Sequence, residues 1–322
     1  MKERCLLVGL GQIGMGYDSD LVQTESVASH ALALSRHPEF ELVGGVDPSS
    51  ACRENFTQKY NKRSFEQIEE ALDVLSPSIV VIATPTSSHY SVLCKILKSS
   101  RPKIILCEKP LDFDLASAQA MVDLCRESGA ELFVNYIRRS DPGVIEIKER
   151  ILSGQIELPL KAVVWYSKGL KNNGSHFLNL LEFWLGNLVQ SQVISIGRKW
   201  EGLDPEPDFI AVFENGSAIF CAAKEEEFSH YTVELISPSG RLYYSQGGQQ
   251  IDWQSVTEDL DFPGYRALDA NAEVIGNDFA RYQYNVLEQL SKALRKAPSF
   301  LSTGEDALVT LRNISKITCE IK

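Results

Sequence analysis

Cys5-Leu6-Leu7-Val8-Gly9-Leu10-Gly11-Gln12-Ile13-Gly14 reads as a buried strand running into a glycine turn and the first turn of a helix. Gly9 permits the tight turn, Gly11 lets a pyrophosphate approach the backbone, and Gly14 allows close helix–strand packing. The N–H groups of the turn, through Gln12 and Ile13, sit at the positive end of a helix dipole and form an anion site. Three glycines at this spacing are a weak signal alone. Here they follow an apolar run, and a second run at 41–46 ends on Asp47. Together these features predict a dinucleotide site in a doubly wound α/β domain.

Asp47 sharpens the choice of nucleotide. A carboxylate at the tip of the second strand accepts hydrogen bonds from both adenosine ribose hydroxyls and repels a 2′-phosphate. Pro48, Ser49 and Ser50 bring no arginine to neutralise such a phosphate, although Arg53 lies close by. NAD is therefore favoured over NADP. Asp47 falls well beyond the customary ~20 residues after the glycines. The polar stretch 17–26 accounts for the excess as an inserted loop, or as a broken segment before a helix over 27–36.

The chain has 322 residues, 44% of them hydrophobic, enough for a sizeable core divided between two domains. Its net charge of -11 argues against a nucleic-acid or anionic-membrane surface. No apolar run is long enough to span a bilayer, and residues 1–20 lack a signal-peptide pattern. The expectation is a soluble, cytoplasmic protein. Its seven cysteines are scattered without a CxxC pair, and the five histidines join them at no metal spacing. Neither a disulfide framework nor a metal is expected. Glu225-Glu226-Glu227 reads as a solvated loop face.

Apolar runs at 79–83, 103–107 and 131–135 alternate with helical periodicity, as a parallel sheet requires. Beyond residue 135, one helix is expected over 144–152, and Asn172 to Ser175 lead another through Phe177, Leu180, Leu181, Trp184 and Leu185, stopped by Gly186. Short strands are expected at 160–166, 192–196, 208–213, 217–223, 231–236 and 240–244, punctuated by Asn215-Gly216 and Pro238-Ser239-Gly240. These predict a large open, mostly antiparallel sheet in an α+β domain. A long helix is expected over 272–295 and a last one over 304–319, capped by Thr303. The expected divisions are 1–125, 126–302 and 303–322, the final helix returning to the first domain.

Gly9-x-Gly11-x-x-Gly14, Ala83-Thr84-Pro85 with His89, Glu108-Lys109-Pro110-Leu111, Tyr136-x-Arg138-Arg139 and Gly174-x-His176 occur in one order. In this the chain resembles the Gfo/Idh/MocA oxidoreductases over essentially its whole length. The resemblance implies a Rossmann-type domain, a second domain on an open sheet, sugar or cyclitol substrates, and dimers or tetramers built through that sheet. It places Lys109 and His176 in the active site. Thr84, Pro85 and His89 would line the cofactor, Glu108 would shape the nicotinamide pocket or pair locally, and Asn135 would reach the carboxamide or substrate edge. Where relatives most often carry an aspartate four residues before the histidine, this chain has Asn172. An acidic position often found three residues after the histidine is Asn179.

Hydride transfer from a carbinol requires the C–H to face the nicotinamide, the hydroxyl proton to leave, and the alkoxide to be stabilised. A histidine, with an ordinary pKa of about 6.5, is the natural base at neutral pH, and that role falls to His176. Lys109 polarises the oxygen. Asn172 orients without titrating. Tyr136, Arg138, Arg139, Tyr166, Lys168, Asn173 and Tyr265 are the further candidates for substrate contact. Arg138, Arg139, Lys168 and Lys171 suggest an anionic group, such as that of a nucleotide sugar, though a solvated-surface role explains each equally. A cyclitol or free aldose is the alternative substrate. A non-catalytic regulator that binds NAD and sugar is the alternative class, motivated by Asn172 and Asn179.

Overall fold

The computed structural model describes residues 2–18 and 25–320, so most of the 17–26 stretch lies outside the described residues. The chain divides into two compact units, one of residues 1–140 with 280–309 and the other of 141–279 with 310–322.

The first unit opens with β1 (Glu3–Val8), α1 (His30–Arg36), β2 (Phe40–Val46), α2 (Ser50–Tyr60), β3 (Arg63–Phe65) and α3 (Ile68–Leu75). It continues through β4 (Ile79–Ile82), α4 (His89–Ser99), β5 (Ile104–Cys107), α5 (Leu115–Ser128) and β6 (Glu131–Val134). These strands form a parallel sheet in the order β3-β2-β1-β4-β5-β6. Every residue of β4 and β5 is buried, as strands covered on both faces require. Leu7, Leu34, Phe56, Val81 and Leu106 share one core cluster, each burial stabilising by about 1.5–3 kcal/mol.

The glycine turn does not run on into a continuous helix. Met15 N–H donates to Gly11 O at 2.9 Å, and Tyr17 N–H to Gln12 O at 2.9 Å, before a short turn over 16–18. His30 N–H donates to Ile13 O at 3.1 Å and Ala31 N–H to Gly14 O at 2.9 Å, so α1 resumes where the first turn stopped. Asp18 accepts the Ala28 and Ser29 N–H groups at 2.8 Å each, and Ser29 caps α1 through Leu32 N–H. The extra length of chain between Gly14 and His30 explains the unusual distance from the glycines to Asp47.

In the second unit, α6 (Pro142–Leu152) precedes β7 (Leu160–Tyr166) and α7 (Ser175–Leu185). There follow β8 (Leu188–Trp200), β9 (Asp204–Phe213), β10 (Gly216–Ala222), β11 (Thr232–Ser237), β12 (Gly240–Ser245), β13 (Gln250–Glu258), β14 (Arg266–Leu268) and β15 (Glu273–Val274). The order is β14-β13-β12-β11-β7-β10-β9-β8, with β15 on β13. Pairing is antiparallel except between β7 and β10. Along β7, Leu160, Ala162, Val164 and Tyr166 point inward while Lys161, Val163 and Trp165 point out.

The chain returns to the first unit through α8 (Tyr282–Leu294) and β16 (Ser302–Thr303), which adds to β6 antiparallel, before α9 (Gly304–Cys319). Thr303 Oγ1 accepts Asp306 N–H at 3.1 Å and Asp306 returns the favour to Thr303 N–H at 3.0 Å, a reciprocal cap.

Three expectations are corrected. The first unit extends through β6, not to residue 125, because β6 completes the parallel sheet beside β5. The segment 280–302 also belongs to it, since Val286, Leu287 and Leu290 of α8 lie in its core cluster. Covering an apolar face outweighs chain order. The last helix does not simply return to the first domain, for 304–309 fall in the first unit and 310–322 in the second. Finally, 272–295 is not one helix. Glu273 and Val274 pair with Trp253 and Asp252 of β13, and Gly276-Asn277-Asp278, poor helix formers, separate them from α8.

Candidate active site

The carboxyl ends of β1, β2 and β4 in the first unit surround a cavity of about 550 Å³ lined by Gly9, Gly11, Asp47, Glu66, Thr84 and Pro85 among others. Gly9 has φ +98°, and a Cβ there would lie 2.5 Å from Ala83 O. A Cβ on Gly14 would lie 2.2 Å from Gly9 O, whereas one on Gly11 would meet nothing within 4 Å. The turn is thus closed on its own backbone and open only above Gly11, where a pyrophosphate approaches. Asp47 Oδ2 accepts Leu10 N–H at 2.8 Å and Oδ1 accepts Ser49 N–H at 2.9 Å, which fixes the carboxylate at the cavity edge with lone pairs to spare for ribose hydroxyls. These residues fit a dinucleotide. Gln12 and Ile13 are not among the lining residues, and the Ile13 carbonyl is taken by His30.

Behind this edge lies a buried polar network that the sequence did not reveal. Glu108 Oε1 accepts both His30 Nε2–H at 2.7 Å and Asn135 Nδ2–H at 2.6 Å. Glu108 Oε2 faces Lys109 N–H at 3.3 Å. Asn135 Nδ2 also donates to Gln283 Oε1 at 3.2 Å. Burial pushes the Glu108 carboxyl up, but the His30 and Asn135 hydrogen bonds and the His30 and Lys109 charges outweigh it and hold the group below its usual range. Glu108 is therefore the hub that fixes the backbone entering Lys109, which is half-buried. Asn135 turns its amide nitrogen onto that hub. His30 follows the glycine motif in the helix register, a signal hidden by the extra length of chain between them; Gln283 carries no local signal.

His89 departs from expectation. Fully buried and not among the cavity-lining residues, it sets Nδ1 3.1 Å from Leu111 O and Nε2 2.9 Å from Thr84 O. It ties the Thr84-Pro85 loop to the segment after Lys109.

In the second unit, residues 169–174 form a wide helical turn before α7, whose second residue is the buried His176. Asp204, on β9, accepts Lys171 N–H at 3.0 Å and Asn172 N–H at 2.8 Å, and Glu206 accepts Gly169 N–H at 3.0 Å. Burial raises the Asp204 carboxyl. Ser175 Oγ–H donates to Asn172 O at 2.9 Å. Asn172 is exposed and Asn173 half-exposed. A carboxylate thus serves this turn after all, by gripping its backbone from a neighbouring strand. Asn179 Nδ2–H donates to Thr310 Oγ1 at 3.0 Å, so its amide ties α7 to α9.

Several substrate candidates have other duties. Tyr166 is fully buried, donates to Pro207 O at 2.6 Å, and packs where a Cβ on Gly174 would come within 2.9 Å of its ring. Tyr136 and Arg138 are buried, while Tyr265 is 70% exposed beside Phe262. Arg139 Nη1 lies 3.2 Å from Asp306. Lys168 is paired with Glu225 at 2.9 Å.

That pair also corrects the reading of 225–227 as a solvated face at Glu225 alone, since Glu226 and Glu227 are exposed. The Glu225 side chain is only 12% exposed and accepts from Ser167, Ser229 and Tyr231 besides Lys168. Burial pushes its carboxyl up, but these hydrogen bonds prevail and hold it at about 2. A depressed folded-state pKa contributes stability above the ordinary carboxylate range that is lost as pH falls toward 2. Glu225→Gln is expected to cost about 1–3 kcal/mol at pH 7. In urea melts across pH, the gap from wild type should close on acidification; a constant gap would contradict the pairing.

A parallel sheet in the order 3-2-1-4-5-6, with a glycine turn and a carboxylate at its cavity, defines a domain of the dinucleotide-binding class. Residues 4–136 match the GFO_IDH_MocA family, described as "Oxidoreductase family, NAD-binding Rossmann fold". It is 30% identical over 158 residues to inositol 2-dehydrogenase of Rhizobium meliloti (strain 1021), covering 48% of this chain and 42% of that one. It is 31% identical over 159 residues to scyllo-inositol 2-dehydrogenase (NAD(+)) of Bacillus subtilis (strain 168), covering 49% and 42%. The matched stretch thus spans less than half the length of these relatives. An NAD binding oxidoreductase from Klebsiella pneumoniae shares the fold, with a TM-score of 0.79 at 17% identity over 99% of this chain and 96% of that one.

Proposed function

We propose that this chain is an NAD(H)-dependent oxidoreductase that moves a hydride between the nicotinamide and a ring carbinol or carbonyl carbon of a sugar or cyclitol. The observation that carries this reading is the cavity open above Gly11 and edged by Asp47, in the same unit as the Glu108-Lys109 corner. When bound, the nicotinamide supplies the hydride acceptor or donor. Lys109 polarises the substrate oxygen, and His176 takes the hydroxyl proton in oxidation and returns it in reduction. Asn172 orients at the turn that precedes His176.

The pairing of Arg139 with Asp306 and of Lys168 with Glu225 favours an uncharged polyol ring over an anionic or nucleotide-linked sugar, and the cyclitol names of the two relatives agree. Following nicotinamide absorbance with neutral cyclitols and aldoses, against sugar phosphates and sugar nucleotides, in both directions, tests the reading. Better turnover of anionic substrates would restore the nucleotide-sugar alternative. Binding of cofactor and sugar with no redox change would point to a non-catalytic regulator.

The same reading includes self-association. Val163, Trp165, Val212, Ile219 and Ile236 are exposed on neighbouring strands of the second sheet, with Val163 and Ile219 directly paired across β7 and β10. A second copy of the chain covers this face. Val163→Glu with Ile219→Glu is expected to reduce the mass measured by light scattering to that of one chain; an unchanged mass would sink the assignment.

A further inference from the structure

Asp47 and Glu66 each follow the last residue of a strand, and those residues, Val46 and Phe65, are partners in the parallel β2–β3 pair. The two carboxylates therefore leave adjacent strands side by side, at a strand spacing of about 4.8 Å, and both line the cavity. Arg53, the cation nearest this corner in sequence, is not among the lining residues. Its Nη1 donates to Asp47 O and Pro48 O at 2.8 Å each, and its Nη2 approaches Glu66 Oε2 at 3.4 Å. It opens instead onto a groove beside Glu54 and Thr57 of α2. An arginine that received a 2′-phosphate would turn its guanidinium into the cavity; this one spends Nη1 on the backbone that carries Asp47 and sets Nη2 beside Glu66.

We propose that Glu66 is a second selectivity determinant, which with Asp47 excludes the 2′-phosphate of NADP, and that Arg53 is a positioning residue that braces the Asp47 corner from behind. The inference rests on the NAD reading above and deepens it. Asp47 fixes the ribose by accepting its hydroxyls. Glu66 adds a second negative charge at the same edge, repelling a dianionic 2′-phosphate while leaving neutral hydroxyls untouched. By holding two successive carbonyls, Arg53 sets the turn from which the Asp47 carboxylate projects, a role its fork geometry suits and a lysine does not.

Equilibrium binding of NADH and NADPH to the full chain tests this, using wild type, Glu66→Gln and Arg53→Lys. Glu66→Gln is expected to tighten NADPH binding by roughly tenfold and to change NADH binding by less than about twofold. Arg53→Lys keeps the charge but loses the two-carbonyl brace. It is expected to weaken NADH binding several-fold at an unchanged melting temperature, without a selective loss of NADPH. An unmoved NADPH-to-NADH ratio in Glu66→Gln, or full NADH affinity in Arg53→Lys, would overturn the assignment while the NAD reading stands. A wild-type chain that binds neither nucleotide would remove both.

Discussion

His176→Ala is expected to slow the hydride-transfer step by roughly 10²–10⁴-fold, because the substrate proton then leaves without a positioned base. Lys109→Ala should lose a similar factor through the missing stabilisation of the alkoxide, while cofactor affinity changes less. Single-turnover measurements with saturating cofactor separate this loss from weaker binding, and nucleotide titration and melting curves establish that the variants are folded. Asn172→Asp adds a diagnostic. A carboxylate at this position favours the protonated imidazole, so the pH–rate profile should move to higher pH. Because residue 172 is exposed, the movement should be small. Near-normal hydride transfer in His176→Ala, with an unmoved profile in Asn172→Asp, would exclude this arrangement.

His30→Ala is expected to reverse the sign of one contribution to the pH dependence of stability. In the intact chain Glu108 is held below its usual range, chiefly by His30 and Asn135 against the opposing effect of burial. Its stabilisation is present above the ordinary carboxylate range and is lost as pH falls through the folded value. Without the imidazole, burial prevails and the folded-state pKa rises above the unfolded one. Glu108 then stabilises only where it is protonated, and stability declines as pH rises through the new value. At pH 7 the loss should be about 1–3 kcal/mol, the usual penalty for a buried group stripped of a partner. Denaturant midpoints across pH 4–8 give the slope directly. A parallel displacement of the whole curve would mean that another group replaces His30. Because Glu108 Oε2 also faces the Lys109 amide, a fall in turnover at unchanged cofactor affinity is expected alongside.

The Glu108 network marks the boundary of what could be read in advance. Glu108, Lys109 and Asn135 stand at strand ends that follow uninterrupted apolar runs, so their places were evident from pattern alone. His30 was not evident. It keeps the helical register of the glycine turn only through the Ile13–His30 and Gly14–Ala31 hydrogen bonds, which join residues too far apart in sequence for the spacing to show it. The cations illustrate the same limit. Arg139 and Lys168 read as free charges until Asp306 and Glu225 arrive from distant segments. His89 read as a pocket residue until two backbone carbonyls claimed its ring.

What the sequence determined by itself was local. The strand-turn at Val8-Gly9, the carboxylate following β2, the buried parallel strands and the end of α7 at Gly186 all follow from hydrophobic period and the steric freedom of glycine within a few residues. What only the tertiary structure decided was partnership. The pairing of β2 with β3 sets Glu66 beside Asp47, and the folding of α8 onto the first unit brings Gln283 to Asn135. The placement of β9 against the turn before α7 gives Asn172 a carboxylate that its own segment lacks. Each of these joins groups far apart in the chain. Their proximity is set by the burial of whole sheets and helices, which no local propensity encodes.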